Sequence, residues 1–180
     1  MNKLRLDIER FHQLSGNTEL ITPFILLRSC FNPRIAPVVV IRLSEYFYQK
    51  KLGFIAKLFS LINVIFFGLE SSPRVQIAGG LFLPHTVGTV IGAERIGKNV
   101  TIMQGVTLGA KEPDMYFTTG TRPVIGNHVL IGAGAKIIGN ITVGDYAKIG
   151  ANAVVLQDVP ANSLAVGVPA KIVSQKQVND

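Results

Sequence analysis

Across residues 125–156, aliphatic side chains recur every six positions, at Ile125, Ile131, Ile137, Val143, Ile149 and Val155. A second apolar position follows four residues later, at Val129, Ala135, Ile141, Ala147 and Ala153, and is mostly small. Glycine directly follows the aliphatic residue at positions 126, 132, 144 and 150. A period of six matches neither the 3.6 of an α-helix nor the plain alternation of an extended strand. It matches a chain that turns a corner after each short strand. The aliphatic side chain then points into a prism, the second apolar residue packs above it, and Gly or Asn takes the corner dihedrals. Three hexads close one triangular coil, and coils stack at the parallel-sheet spacing of about 4.8 Å.

The rhythm starts loosely at Pro73 and sharpens at Ile96, Ile102 and Leu108, with Val100 and Val106 in the second apolar places. One residue is missing from the count between Ile91 and Ile96, which predicts a tightened corner. Residues 111–122, KEPDMYFTTGTR, interrupt the pattern as a polar excursion with Met115, Tyr116 and Phe117 at its tip. Long ordered loops are often functional, and three apolar side chains there need a neighbouring subunit or a ligand to cover.

The first seventy residues follow a different period. Leu4, Ile8, Phe11 and Leu14 sit at helical spacing, and Ser15-Gly16-Asn17 closes that segment. Residues 21–30 and 34–51 read as further helices, with Pro23, Pro33 and Pro37 marking starts or breaks. Residues 52–69 are the greasiest stretch, barely of membrane-spanning length and interrupted by Lys57, Ser60 and Asn63. This predicts a helix packed on its neighbours and on a partner subunit. The other reading is a peripheral membrane contact, an in-plane anchor with Arg42, Lys50, Lys51 and Lys57 facing anionic headgroups. A stack of coils also needs caps. The helices supply one and the closing VPANSLAVGVPAKIV the other, and three-fold association would bury the faces left over. The expected fold is mainly β. An α-helical region over 1–70 leads into a parallel β-helix over 71–173, with its excursion at 111–122 and a C-terminal capping segment. A flexible tail follows over 174–180.

Apolar content of 48% is enough for a core, and a formal charge of +7 suits an acidic partner such as an anionic surface or a phosphorylated ligand like coenzyme A. No basic stretch is interleaved with aromatics, so nucleic acid is not expected as a partner. One cysteine, Cys30, excludes an internal disulfide. The start, MNKLRLDIERFHQ, is charged and periodic, unlike a secretory signal, and the expected location is cytoplasmic.

Over residues 70–173 the motifs PHTVGTVIG, VTIMQGVTLGA, VIGNHVLIGAGAKIIGNITVGDYAKIGANAVVLQDVP and GVPAKIV resemble the hexapeptide-repeat acyltransferases. Within them they resemble the serine acetyltransferase-like branch. The resemblance implies a left-handed parallel β-helix, a homotrimer, and acetyl-CoA bound in the groove between two subunits. It also implies His85 as the general base that takes the proton of an attacking alcohol. Glu70, fifteen residues upstream, stands where the family keeps an Asp that orients the ring. Ala110, Ala133 and Ala151 would offer backbone amides to the pantetheine arm on successive coils. Lys171, with Lys136 or Lys148, would meet the phosphates.

Two departures bear on the acceptor. Pro84 occupies the place of an acidic residue that holds the amino group of serine, and Thr121-Arg122-Pro123 stands for an Arg-His-Pro run with one position lost. Arg122 remains as an anion clamp for the substrate. A pocket without a carboxylate for an ammonium group should bind serine poorly. The expected acceptor is therefore a hydroxyl of a sugar or polysaccharide unit, with serine as the alternative and a non-catalytic scaffold as the reading from another class. Three histidines, His12, His85 and His128, one of them in the helical third, do not suit a three-histidine zinc site, and no metal is expected.

Overall fold

The structure, a computed structural model, describes residues 3–17 and 21–174. Of the expected tail, Ser174 ends a strand and the rest lies outside the described residues. Four helices come first: α1 (Lys3–Leu14), α2 (Pro23–Ser29), α3 (Ala36–Gln49) and α4 (Gly53–Phe67). Thr22 caps α2, its hydroxyl accepting from Ile25 N at 3.3 Å, and Pro23 sits at the first helical position, where a missing N–H costs nothing. Pro37 likewise lies in the first turn of α3 rather than breaking it. Gly68 stops α4 in the left-handed region at φ 60.

The prism begins at Leu69, so Glu70 belongs to its first strand and not to the helical region. Face A is built from β1 (Leu69–Ser71), β3 (Thr89–Ile91), β6 (Thr107–Gly109), β9 (Lys136–Ile138) and β12 (Val154–Val155). Face B has β2 (Gln76–Ile77), β4 (Arg95–Ile96), β7 (Val124–Ile125) and β10 (Thr142–Val143). Face C has β5 (Thr101–Ile102), β8 (Leu130–Ile131), β11 (Lys148–Ile149) and β13 (Ser163–Val166), with β14 (Lys171–Ser174) antiparallel at its end. All other pairings are parallel, and each coil runs A, B, C. In the regular part the partners lie three hexads apart, Ile131 opposite Ile149 and Ile137 opposite Val155. Ile91 faces Leu108 one residue short of that, where the count is short. The hexad aliphatics and the second apolar residues fill the interior, all but Ile141 at 2% exposure or less.

The glycines at 126, 132, 144 and 150 are not the corner residues expected of them. A Cβ on Gly132 would stand 2.6 Å from Ala151 N, and one on Gly144 2.5 Å from Ala161 N. These positions are small because the next coil passes directly over them. The left-handed dihedrals fall two residues later, at Gly134 (φ 73) and Asn152 (φ 55) on the C–A edge and at His128 (φ 57) and Tyr146 (φ 60) on the B–C edge.

One buried group ties the helices to the prism. The Asp7 carboxylate, fully buried on α1, accepts from Arg42 Nε at 2.8 Å and Nη2 at 3.1 Å, from Gly80 N at 2.7 Å and from Leu81 N at 2.8 Å. Arg42 also donates to Glu45, Ile77 O and Ala78 O. Burial pushes its guanidinium down, but the bonds to Asp7, its charge and Glu45 more than reverse this. Arg42 is therefore an internal strut and faces no headgroup, a correction to the anchor reading, because its side chain is 7% exposed.

Removing one partner from a buried pair strands the other charge, which costs about 3–5 kcal/mol. Asp7→Ala should lower stability by about that much in urea titration. A loss below about 1 kcal/mol, the range of an exposed pair, would show that Asp7 is no strut.

Candidate active site

Stacking in register collects residues of equal phase along one edge or one face. His85 lies in the segment 83–88, where the first coil passes from face C to face A. That edge is a ladder: Gly88 N donates to Gly68 O (2.9 Å), Gly105 N to Val87 O (3.1 Å), Gly134 N to Gln104 O (2.8 Å) and Asn152 N to Ala133 O (2.8 Å). Ala133 and Ala151 therefore stand on the same edge as His85. Lys171, exposed and in register with Val166, continues it, since Val166 packs against Gly150. The His85 ring is exposed, and its loop is pinned by Thr86, whose hydroxyl donates to Phe67 O at 2.8 Å.

Ala110 belongs to a different edge. It follows β6 at the A–B edge, where Gly139 N donates to Gly109 O at 2.9 Å, and it lines a cavity of about 620 Å³ beneath the excursion. The expected run of Ala110, Ala133 and Ala151 on successive coils of one wall is thus not formed within one chain. The reason is the order of faces: Ala110 follows β6 on face A, whereas Ala133 and Ala151 follow β8 and β11 on face C.

Glu70, the middle residue of β1, points outward from face A in register with Val90. No hydrogen bond joins its carboxylate to the His85 ring among the described residues. It opens instead onto a cleft of about 870 Å³ over face A, lined also by Phe54, Lys57, Arg74, Asp114 and Arg122. His85 is not among the residues lining that cleft.

The excursion is organised by Asp114, which the sequence reading missed. Its carboxylate accepts from Tyr116 N (3.1 Å), Thr118 N (2.7 Å), the Thr118 hydroxyl (3.1 Å) and the Thr121 hydroxyl (3.2 Å). Partial desolvation pushes this carboxyl up, but the bonds from Thr118, Thr121 and Tyr116 outweigh it and hold it below the ordinary carboxylate range. The available signal was an Asp near the start of a loop, placed to bond the backbone N–H two residues on as in an Asx-turn, with hydroxyls four and seven residues on. Arg122, expected as a substrate clamp, is spent on the same loop. Its Nε donates to Asp114 Oδ2 (3.3 Å), Nη2 to Asp114 O (2.8 Å) and Nη1 to Gly92 O (3.0 Å), and its guanidinium lies 4.3 Å from the Phe117 ring centroid. Phe117 is covered in this way, whereas Met115 and Tyr116 remain 88% exposed.

Of the other basic candidates, Lys136 turns back to Gly105 O at 2.5 Å, while Lys148 is exposed on face C. His128 stacks on Tyr146, centroids 4.7 Å apart, on the B–C edge, and His12 bonds to the Ser29 hydroxyl at 2.9 Å in the helical region. Among the described residues no three of His, Cys, Asp and Glu are grouped so as to hold a metal ion.

Residues 122–157 match the bacterial transferase hexapeptide (six repeats) family model. The chain is 43% identical to a serine acetyltransferase of Helicobacter pylori over 144 residues, 79% of this chain and 82% of that protein. It is 44% identical to one from Bacillus pumilus, covering 77% of this chain and 64% of that one. Among solved structures, serine acetyltransferase from Neisseria gonorrhoeae in complex with serine superposes with a TM-score of 0.77 at 31% identity, over 95% of this chain and 67% of that chain. The Brucella abortus enzyme in complex with coenzyme A gives 0.80 at 32%, over 96% and 66%.

The lowered Asp114 carboxyl makes the loop acid-sensitive in one direction. Order that rests on the ionised form is complete above the ordinary aspartate value of about 3.9 and is lost as pH falls below it through the depressed value. Protection of the amides in residues 111–122, relative to the intrinsic exchange rate at each pH, should hold from neutral pH to that point and fall below it. In Asp114→Ala the loop should exchange fast at all pH, with the prism strands unchanged. Equal protection in both proteins would remove Asp114 from this role.

Proposed function

Because the chain belongs to the serine acetyltransferase family of hexapeptide-repeat acyltransferases, we propose that it transfers acetyl from acetyl-CoA to the hydroxyl of L-serine. The chain is an acetyl-CoA-dependent acyltransferase. The proposal concerns the acceptor, the residues and the assembly. It replaces the sugar hydroxyl expected from Pro84, because the relatives named above are serine acetyltransferases and support serine better. A carboxylate is also present beside the edge that carries His85, since Glu70 follows Gly68 on β1. Glu70 lines the cleft over face A with Lys57 and Arg74, and Asp114 and Arg122, which hold the loop, line it as well.

In this reading the observation that matters most is the shared edge of His85, Ala133 and Ala151. His85 accepts the serine hydroxyl proton as the oxygen attacks the thioester carbonyl carbon. The carbon–sulfur bond then breaks, and the imidazolium returns the proton to the departing thiolate. Glu70 is a positioning residue that holds the other ring nitrogen when substrate closes the site. The amides of Ala133 and Ala151 receive the pantetheine arm and Lys171 the phosphates. Ala110 and the excursion lie across face A from that edge, so one site takes the C–A edge of one copy and the A–B edge of the next. A trimer of left-handed prisms supplies that arrangement. Arg122 serves the site by holding the loop, and a cytoplasmic setting belongs to the same proposal.

General-base catalysis contributes about 10²–10⁴ in rate. His85→Ala should lose that much in kcat while its mass by light scattering stays that of wild type; unchanged turnover would end the assignment. Thiol release from acetyl-CoA should respond to L-serine and not to a panel of glycans. Turnover of a glycan with serine inert would restore the sugar reading.

A further inference from the structure

Helix α4 is apolar on its outer side as well as its inner one. The side turned inward carries Phe59, stacked on Phe47 at 5.4 Å, and Phe67 against the prism core, together with Ala56, Ser60 and Asn63, whose polar groups are used within the fold. Asn63 Nδ2 donates to Pro37 O at 3.2 Å, and the Ser60 hydroxyl lies 3.1 Å from that of Ser44. The outward side is apolar too. Phe54, Leu58, Leu61 and Ile65, spaced four, three and four residues apart, are 84%, 49%, 51% and 66% exposed. That spacing is one stripe along the helix.

The charge around the stripe decides what fits it. Lys57 sits on its flank, Lys50 and Lys51 are in the turn leading into α4, and no acidic residue occurs from Tyr46 to Leu69. Two copies meeting through this face would bring those lysines together, which like-charge repulsion opposes. A surface that is apolar inside and anionic outside complements both features. At 1.5 Å per residue α4 is about 22 Å long, and no described helix is long and apolar enough to cross a membrane.

We propose that this face docks on an anionic lipid surface, with α4 lying in the plane of the headgroups, its stripe in the acyl boundary and Lys50 and Lys51 at the phosphates. Arg42, buried on Asp7, takes no part. Phe54 and Lys57 also border the cleft over face A, so docking sets the cleft mouth beside the membrane. The proposal does not depend on which acceptor is used.

The test is cosedimentation of the full chain with phosphatidylcholine–phosphatidylglycerol vesicles and with phosphatidylcholine alone. Wild type should bind the anionic vesicles and hardly bind the neutral ones. Lys50→Gln and Lys51→Gln should each weaken binding about fivefold. Leu58→Ser/Leu61→Ser/Ile65→Ser should weaken it by at least about tenfold while keeping wild-type turnover. Wild type that ignores anionic vesicles overturns the proposal, as does a triple variant that binds them undiminished. Smaller particles from the triple variant in light scattering, with no wild-type lipid binding, would assign the face to contact between copies instead.

Discussion

The parallel ladder between coils constrains everything else in this chain. Each strand must offer its backbone to the strand one turn away, so a coil can be lengthened only at a corner. The long insertion obeys this. It leaves at the A–B edge after Gly109 and returns at Pro123, and Glu94 N bonds to Pro123 O at 2.9 Å as though nothing had intervened. Fixed register turns a linear pattern into edges, and edges bring His85, Ala133 and Ala151 together from three different coils.

The helical region is attached by electrostatics as much as by apolar contact. Asp7 gathers a guanidinium and two backbone N–H groups in a dry setting, which makes it costly to leave unpaired. Helix α4 turns Ser60 and Asn63 inward on Ser44 and Pro37 beside Phe59 and Phe67, and still carries an apolar stripe outward. The same inward turn puts Phe54 and Lys57 at the rim of the cleft that Glu70 faces.

Much of this was legible in the sequence, for a local reason. Hexad periodicity is set by the nearest coil, so Ile125, Ile131 and Ile137 declare their positions without knowledge of anything distant. The helices were readable from spacing and prolines in the same way. What escaped depends on pairs far apart. Arg42 reads as a surface cation until Asp7, from another helix, is placed beside it. Arg122 reads as a free clamp until Asp114 folds back on it. Ala110 holds the same place in its hexad as Ala133 and Ala151, and only the assignment of each hexad to a face of the prism separates their edges. Glycine at 132 or 144 signals crowding as readily as dihedral freedom, and sequence does not distinguish the two.

That separation of edges also provides the most direct test of the site as an object shared between copies. His85→Ala spoils the C–A edge and Ala110→Trp blocks the A–B edge, so each variant alone should be inert. Coexpressed at equal levels, they should regain acetyl transfer at about a quarter of the wild-type rate, the share of random contacts that pair two intact edges. Mixed particles that form but stay inert would mean that each chain carries its site alone, and the composite active site would be wrong.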